Sequence, residues 1–403
     1  MKKFNKVISA FMTSAMVTAM LAGCTDPAST ATTTSQEPAQ ATESSSDNGA
    51  TFKIGAIGPL TGGAAVYGNA VCNAAELAVE EINAAGGING YQVEYSKEDD
   101  ELNAEKSVNA YNTLKDWGMQ ILVGSTTSAC SIAVSENTKA DNMFQLTPSG
   151  SAEECVKYDN VFRVCFSDPN QGIASAQYIA DHNLATKVGI IYDSSDVYSS
   201  GICQKFTEEA KDKNFEIVSS EAFTADNATD FSVQLQKAKD AGADLVFLPI
   251  YYQAASLILT QANTMDYKPV FFGVDGMDGI LSVENFDTKL AEGVMLLTPF
   301  AADAKDDLTV NFVKNYQEKY GEVPNQFAAD AYDAVYIIKQ ALEAKSVTPD
   351  MSTSDICEAL KGAMTEIEAS GLTSAKMTWE ASGEPNKEPK AVVIKEGAYV
   401  SAE

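Results

Sequence analysis

Apolar positions along the chain switch repeatedly between short unbroken runs and helical spacing. Phe52–Gly58 (FKIGAIG) is an apolar run closed by Gly58-Pro59, the pattern of a buried strand. Val71, Ala75, Ala78 and Ile82 then fall at spacings of four, three and four, one face of a helix, and Gly86-Gly87 ends it as glycine does at a helix C-terminus. The same reading predicts a strand over 91–97, a helix over 104–117 and a buried strand over 121–123 that ends at Gly124. A helix over 131–140 and a strand over 144–146, ending at Thr147-Pro148, complete the first series.

The alternation resumes with new material. Helices are predicted over 171–182, 201–214, 231–241 and 254–265, and strands over 187–192, 216–223, 244–249, 270–273 and 294–298. Two longer helices follow, over 308–320 and 326–344, and the chain closes with a hairpin of 391–395 and 398–400 around Glu396-Gly397. Strand–helix alternation on this scale predicts an α/β fold of parallel sheets covered by helices, and two successive series predict two doubly wound lobes. Ligands of such sheets bind beyond the carboxyl ends of the strands, beside helix N-termini. No repeat of solenoid length recurs.

The first 50 residues do not share this pattern. Lys2, Lys3 and Lys6 precede an apolar stretch from Val7 to Ala22 that Ser9, Thr13, Ser14 and Thr18 interrupt, too short and too polar for a permanent membrane span. It reads as an export signal over 1–23. Leu21-Ala22-Gly23-Cys24 resembles the lipobox of bacterial lipoproteins, in which the cysteine becomes the lipidated first residue, so Cys24 is the expected lipidation site. Residues 25–50 contain no aromatic residue and no Val, Ile or Leu, and 24–50 is expected to be a lipidated, flexible tether. This order places the protein at the outer face of a cell membrane.

Composition narrows the chemistry. The 403 residues carry 28 Lys+Arg against 56 Asp+Glu, a formal charge of −28 that cleavage before Cys24 takes to −31 by removing three lysines. Such a charge excludes the basic faces that nucleic acids and anionic lipids require. A single histidine, His182, within a predicted helix, excludes His-rich metal sites and leaves little for acid–base catalysis. The phosphate loop GxxxxGK[ST], the dinucleotide fingerprint GxGxxG and the nucleophile elbow GxSxG are all missing. No enzyme activity, cofactor or metal is expected. Asp99-Asp100 is read as a solvated strand-end turn. Beyond Cys24 there are six cysteines without a CxxC pair, and Cys155 and Cys165, close together around a short strand, leave a local bridge or buried thiols as the alternatives.

What stands out are hydroxyl clusters where strands end. Gly124-Ser-Thr-Thr-Ser-Ala-Cys-Ser131 lies between a strand and a helix, and Thr147-Pro-Ser-Gly-Ser151 follows the next strand. Short hydroxyl side chains with free N–H groups at a helix start suit a carboxylate, although N-capping alone would also use them. In the second series Tyr198, Tyr251-Tyr252 and Asp275 also follow strands. A carboxylate flanked by tyrosines suits an ammonium group. The two sets together describe a clamp for an amino acid.

Several segments carry a family resemblance: Ile54-Gly-Ala-Ile-Gly-Pro-Leu-Thr-Gly62 with Tyr67-Gly68, Glu81-Ile-Asn-Ala-Ala-Gly-Gly-Ile-Asn-Gly90, Asp168-Pro-Asn-Gln-Gly172, Asp230-Phe231 and Ala329-Asp-Ala-Tyr-Asp-Ala334. Over about 52–400 the chain resembles the leucine/isoleucine/valine-binding proteins of bacterial ABC transporters, which have the type I periplasmic-binding fold. The resemblance implies that a ligand carboxylate meets Ser128, Ser149 and Ser151, and that its ammonium meets Tyr251 and Asp275. It also makes Tyr198 a cleft residue and Tyr67 and Phe327 pocket walls. Branched-chain binders commonly carry Glu where this chain has Asp275, so the choice of amino acid stays open. Three hinge crossings near Asp168, Pro299 and 377–384 are implied, giving an N-terminal lobe of 52–168 plus 299–378 and a C-terminal lobe of 169–298 plus 379–403. The implied function is that of a monomeric substrate-binding lipoprotein delivering an amino acid to a permease and ATPase. The alternatives are the same fold binding an amide, a urea-like compound or a nucleoside, or serving as a ligand sensor.

Overall fold

The computed structural model describes residues 49–402. The expectations for the signal, for Cys24 and for nearly all of the tether fall outside them.

The first sheet is built from β1 (Phe52–Gly58), β2 (Val93–Asp99), β3 (Ile121–Val123), β4 (Phe144–Thr147) and β5 (Val161–Arg163) in the order β2-β1-β3-β4-β5, all parallel. β1, β3, β4 and β5 are almost wholly buried, as strands covered on both faces must be. The helices between them are α1 (Ala65–Ala84), α2 (Ala104–Trp117) and α3 (Ser128–Asp141). Local chemistry sets their ends: the Asn103 side chain accepts from the N–H groups of Glu105 and Lys106 at the start of α2, and Gly118 at φ 97° ends it.

The chain then leaves this sheet. α4 (Asp168–Asp181), β6 (Lys187–Asp193), α5 (Val197–Glu209), β7 (Glu216–Phe223), α6 (Ser232–Asp240), β8 (Leu245–Leu248), α7 (Tyr252–Thr264), β9 (Val270–Gly273) and β10 (Met295–Thr298) form the second unit of alternation. Three helices follow: α8 (Asp307–Tyr320), α9 (Gln326–Ala344) and α10 (Thr353–Met364). They return to the first sheet, where α9 packs along α1 and α10 reaches β4. The chain crosses back once more for β11 (Lys390–Lys395) and β12 (Ala398–Ser401), which complete a second sheet in the order β12-β11-β10-β9-β8-β6-β7. Both sheets belong to one compact unit.

The expected α/β architecture is present, with differences that have physical causes. The second sheet is parallel only as far as β10, because a tight hairpin must pair antiparallel and β11 lies antiparallel on β10. β2 begins at Val93 rather than residue 91, because Tyr91 is held in an isolated bridge to Ile88. α3 and α5 each start three to four residues earlier than predicted, their first turns being polar. α10 has no counterpart among the predicted helices. Among the described residues no helix is long and apolar enough to cross a membrane. The six cysteines from Cys72 onward are all free and buried, so Cys155 and Cys165 form no bridge. His182 caps the end of α4, exposed and stacked on Tyr178 with ring centroids 4.0 Å apart.

Candidate functional site between the two sheets

The carboxyl ends of β3 and β4 bring the two hydroxyl clusters side by side, as adjacent parallel strands require. Gly124 turns the chain at φ 137°, and a Cβ there would lie 2.8 Å from the Ile57 carbonyl oxygen, so only glycine fits. The two loops are then tied together. The Thr147 hydroxyl donates to the Ser125 carbonyl at 2.8 Å and accepts from the Gly150 N–H at 2.8 Å, and the Ser149 hydroxyl donates to the Thr126 carbonyl at 2.6 Å. Ser128 opens α3, and its Oγ accepts the backbone N–H groups of Ser151 and Ala152, each at 3.2 Å. Its own proton therefore remains available to a ligand. The first turn of α3 adds N–H groups that have no partner within the helix and favours negative charge.

Opposite stands the second sheet's contribution. Tyr198 lies in the first turn of α5, Tyr251 caps α7, and Asp275 begins a single 3-10 turn, Asp275–Met277, directly after β9. The Tyr198 phenol donates to Asp275 Oδ1 at 2.6 Å and accepts the Gly276 N–H at 2.9 Å. Gln171 accepts the Asp275 N–H at 3.2 Å, and the Gln326 amide donates to the Asp275 carbonyl at 3.1 Å. Gly276 is needed here because a Cβ would sit 2.5 Å from the Tyr198 oxygen. Burial pushes the Asp275 carboxyl up to about 6, while hydrogen bonds from Tyr198, Gln171 and the Gly276 N–H pull it back down.

Aromatic rings close the space. Tyr198 and Tyr251 stack with centroids 4.9 Å apart, Tyr67 meets Tyr251 edge-on at 5.4 Å, and Phe327 lies 4.4 Å from Tyr67. The Tyr67 phenol, from α1, donates to the Gly276 carbonyl and accepts the Tyr252 N–H at 3.3 Å. These bonds join the two sheets' halves across the cleft. The cavity left between them measures about 10 Å³, room for roughly one water, so any larger ligand enters only if the halves separate.

The structure thus brings Tyr67, Ser128, Ser149, Tyr198, Tyr251, Asp275 and Phe327 to one cavity. Ser151 lies behind this wall: it is buried and reaches the site only through its N–H to Ser128, and its own hydroxyl has no hydrogen-bond partner. Thr126, Thr127 and Gly276 also line the cavity and were not singled out from the sequence, although the two threonines sit inside the first hydroxyl cluster and Gly276 directly follows Asp275. Among the described residues no cluster of His, Cys, Asp and Glu is arranged to hold a metal ion.

A family model described as "Periplasmic binding protein" matches residues 51–395. The leucine-, isoleucine-, valine-, threonine- and alanine-binding protein of Pseudomonas aeruginosa is 27% identical over 295 residues, covering 73% of this chain and 78% of that one. The Leu/Ile/Val-binding protein BraC3 of Rhizobium johnstonii is 28% identical over 346 residues, 82% of this chain and 92% of that one. Among solved structures, the branched-chain amino acid transporter substrate-binding protein LivJ of Streptococcus pneumoniae, in complex with isoleucine, superposes with a TM-score of 0.80 at 28% identity, covering 88% of this chain and 99% of that one.

Proposed function

The chain belongs to the periplasmic binding protein family, and on that premise we propose that it is the extracytoplasmic substrate-binding component of an ABC importer, capturing an amino acid of the branched-chain class. The observation that carries this reading is the opposition, within one closed cavity, of the Ser128 hydroxyl at a helix start and the Asp275 carboxylate inside a tyrosine wall. A zwitterion satisfies both, its carboxylate taking the Ser128 proton and the N–H groups of α3, its ammonium taking Asp275 and the rings of Tyr198 and Tyr251. Ser149 orients the loop that presents Thr126, and Ser151 positions Ser128 through its N–H. Tyr67 and Phe327 supply the apolar wall that an aliphatic side chain needs.

Capture runs through closure. The ligand docks by its carboxylate on the lobe of 52–168 plus 299–378, and the lobe of 169–298 plus 379–403 swings in about crossings near Asp168, Pro299 and 377–384. Closing expels water and strengthens each buried charge pair. The permease and its ATPase then read the closed form, and no covalent step is involved. Export by the signal over 1–23 and acylation of Cys24 would hold a monomer beside that permease.

The test is mass spectrometry of the small molecule released on denaturing the purified protein, followed by thermal shifts across the twenty amino acids. A ligand at 100 times its dissociation constant adds about 2.7 kcal/mol to stability. Recovery of leucine, isoleucine or valine with a matching shift is the expected result. No shift with any amino acid, after the co-purified molecule is stripped, would falsify the assignment.

A further inference from the structure

The short turn that carries Asp275 is bonded to the opposite half of the molecule along its whole length. Residues 275–278 lie between β9 and β10, in the second sheet's half, while α1 and α9 pack on the first. The Gln326 N–H, at the start of α9, donates to Asp278 Oδ2 at 3.0 Å, and the Gln326 side-chain amide donates to the Asp275 carbonyl at 3.1 Å. Between these two acceptors the Gly276 carbonyl takes the Tyr67 phenol of α1. Gln326 is 2% exposed and Asp278 6%, so the contacts are shielded from water.

Asp278 caps a helix of the other half. The first N–H groups of a helix have no partner inside it. At the start of α9 the Asn325 side chain takes the Ala328 N–H at 3.1 Å, and Asp278 takes that of Gln326. An acid at this end also meets the positive pole of the helix. Burial raises the Asp278 carboxyl to about 6, and the Gln326 N–H, the Tyr399 phenol and the Gly279 N–H pull it back down, so it is charged at neutral pH.

The turn is held in shape from its own side. Gln171 of α4 accepts the Asp275 N–H, and the Tyr198 phenol accepts that of Gly276. Separation of the halves would therefore leave the turn formed and take from Gln326 both of its acceptors. The bonds across the cleft use neither the Ser128 hydroxyl nor the Asp275 carboxylate, the groups assigned to the ligand, so they form with or without one.

We propose that Gln326 and Asp278 form a latch that favours the closed arrangement without help from the ligand, with Gln326 as the positioning residue that holds the Asp275 turn against the first half. The latch rests on the two-lobe closure proposed above, but not on which compound the cleft captures. Contacts present only in the closed form shift the open–closed balance by their own interaction free energy.

Small-angle scattering on protein dialysed free of small molecules tests this. The unaltered chain is compared with Gln326→Met, which keeps the side chain's length and removes its N–H groups, and with Gln326→Glu, which also sets a carboxylate beside Asp278. The unaltered protein should show a measurable closed fraction. The open-to-closed ratio should rise about tenfold or more in Gln326→Met and further in Gln326→Glu. Asp278→Ala, which leaves the Gln326 N–H without its acceptor, should raise it as well. Equal radii of gyration in all of these proteins overturn the proposal. So does a loss of stability to urea in Gln326→Met with an unchanged open fraction, since Gln326 would then serve packing alone. Should Gln326→Glu not fold, Gln326→Met carries the test. No ligand enters the comparison, so its outcome stays readable even if the amino-acid assignment fails.

Discussion

The phenol of Tyr198 is bonded at 2.6 Å to the carboxylate of Asp275, 77 residues away, and the pair is buried. The same phenol oxygen accepts the next N–H of the turn, from Gly276, so one side chain fixes both the direction of the acid and the path of its backbone. Asp275→Ala should weaken ligand binding by about 2–5 kcal/mol, the usual cost of removing one partner of a buried charge pair, and Tyr198→Phe by about 1 kcal/mol. Calorimetric titration with the co-purified ligand checks both. Wild-type affinity in Asp275→Ala would remove this residue from the site.

The raised Asp275 carboxyl gives binding a pH dependence of definite sign. An ammonium needs the ionised acid, so the dissociation constant should be flat above pH 7 and rise by up to about tenfold per unit below about 6. The closed form without a ligand responds the other way at this group. Its folded carboxyl holds a proton more firmly than the unfolded one, so that contribution to stability is complete below about 3.8 and lost as pH rises through about 6. Titrations at pH 5 and 7.5 separate the two effects, and equal affinities at both would show that Asp275 bears no ligand charge.

Closure depends on Tyr67, whose hydroxyl bridges from α1 to the Gly276 carbonyl and the Tyr252 N–H. Tyr67→Phe keeps the ring and removes both bonds, leaving a buried carbonyl and N–H short of a partner. A loss of about 1–3 kcal/mol in the closed form is expected. Small-angle scattering with saturating ligand should then report a larger open fraction than in the unaltered protein, and identical curves would argue against this role.

One turn along α9 from Phe327, Asp330 is bonded to Lys387, which at 2.7 Å also donates to the Thr373 hydroxyl. The lysine is 3% exposed and the aspartate 2%, which makes this a buried ion pair tying the last crossing segment to the first sheet's helices. Lys387→Met leaves the carboxylate without its cation and should cost about 3–5 kcal/mol in urea unfolding. A change below about 0.5 kcal/mol would mean that Asp330 is uncharged in the folded protein.

Thiol chemistry offers a simple check on the cysteines. Cys72, Cys130, Cys155, Cys165, Cys203 and Cys357 are buried, and burial raises every one of these thiols, which suppresses the reactive thiolate. All six should resist a thiol reagent in the native protein and react once it is unfolded without reductant. A shortfall of two would reveal a bridge.

Strands that are near-continuous apolar runs were legible, and β1 and β9 match their predicted spans residue for residue, as does β7, an edge strand in which only Phe223 is buried. Helix starts were less so. In α3 the first buried apolar positions after Ser128 are Cys130 and Val134, and in α5 Tyr198 and Ile202 mark a stripe whose opening turn is mostly hydroxyls. Periodicity therefore registers late and left Ser128 and Tyr198 outside their helices. α10 had its signal, Ile356, Leu360 and Ala363 on one face with Ser352 capping Asp355, but it is short and follows a Pro-containing turn. The residue types of the site could be read from strand ends. Its closing contacts could not, since Tyr67 and Gly276 are separated by 209 positions and no local pattern encodes that meeting.

The chain's path also governs the order in which the molecule can be assembled. α1 has its main partner in α9, and β10 has one edge covered only by β11 near the chain's end. Neither sheet's half is complete while the last fifth of the polypeptide is still missing. A chain still being made therefore cannot lock into its native form early, which suits a member of a family of exported proteins. For the same reason, severing the chain near Asp168 should give two fragments that fold only in each other's presence.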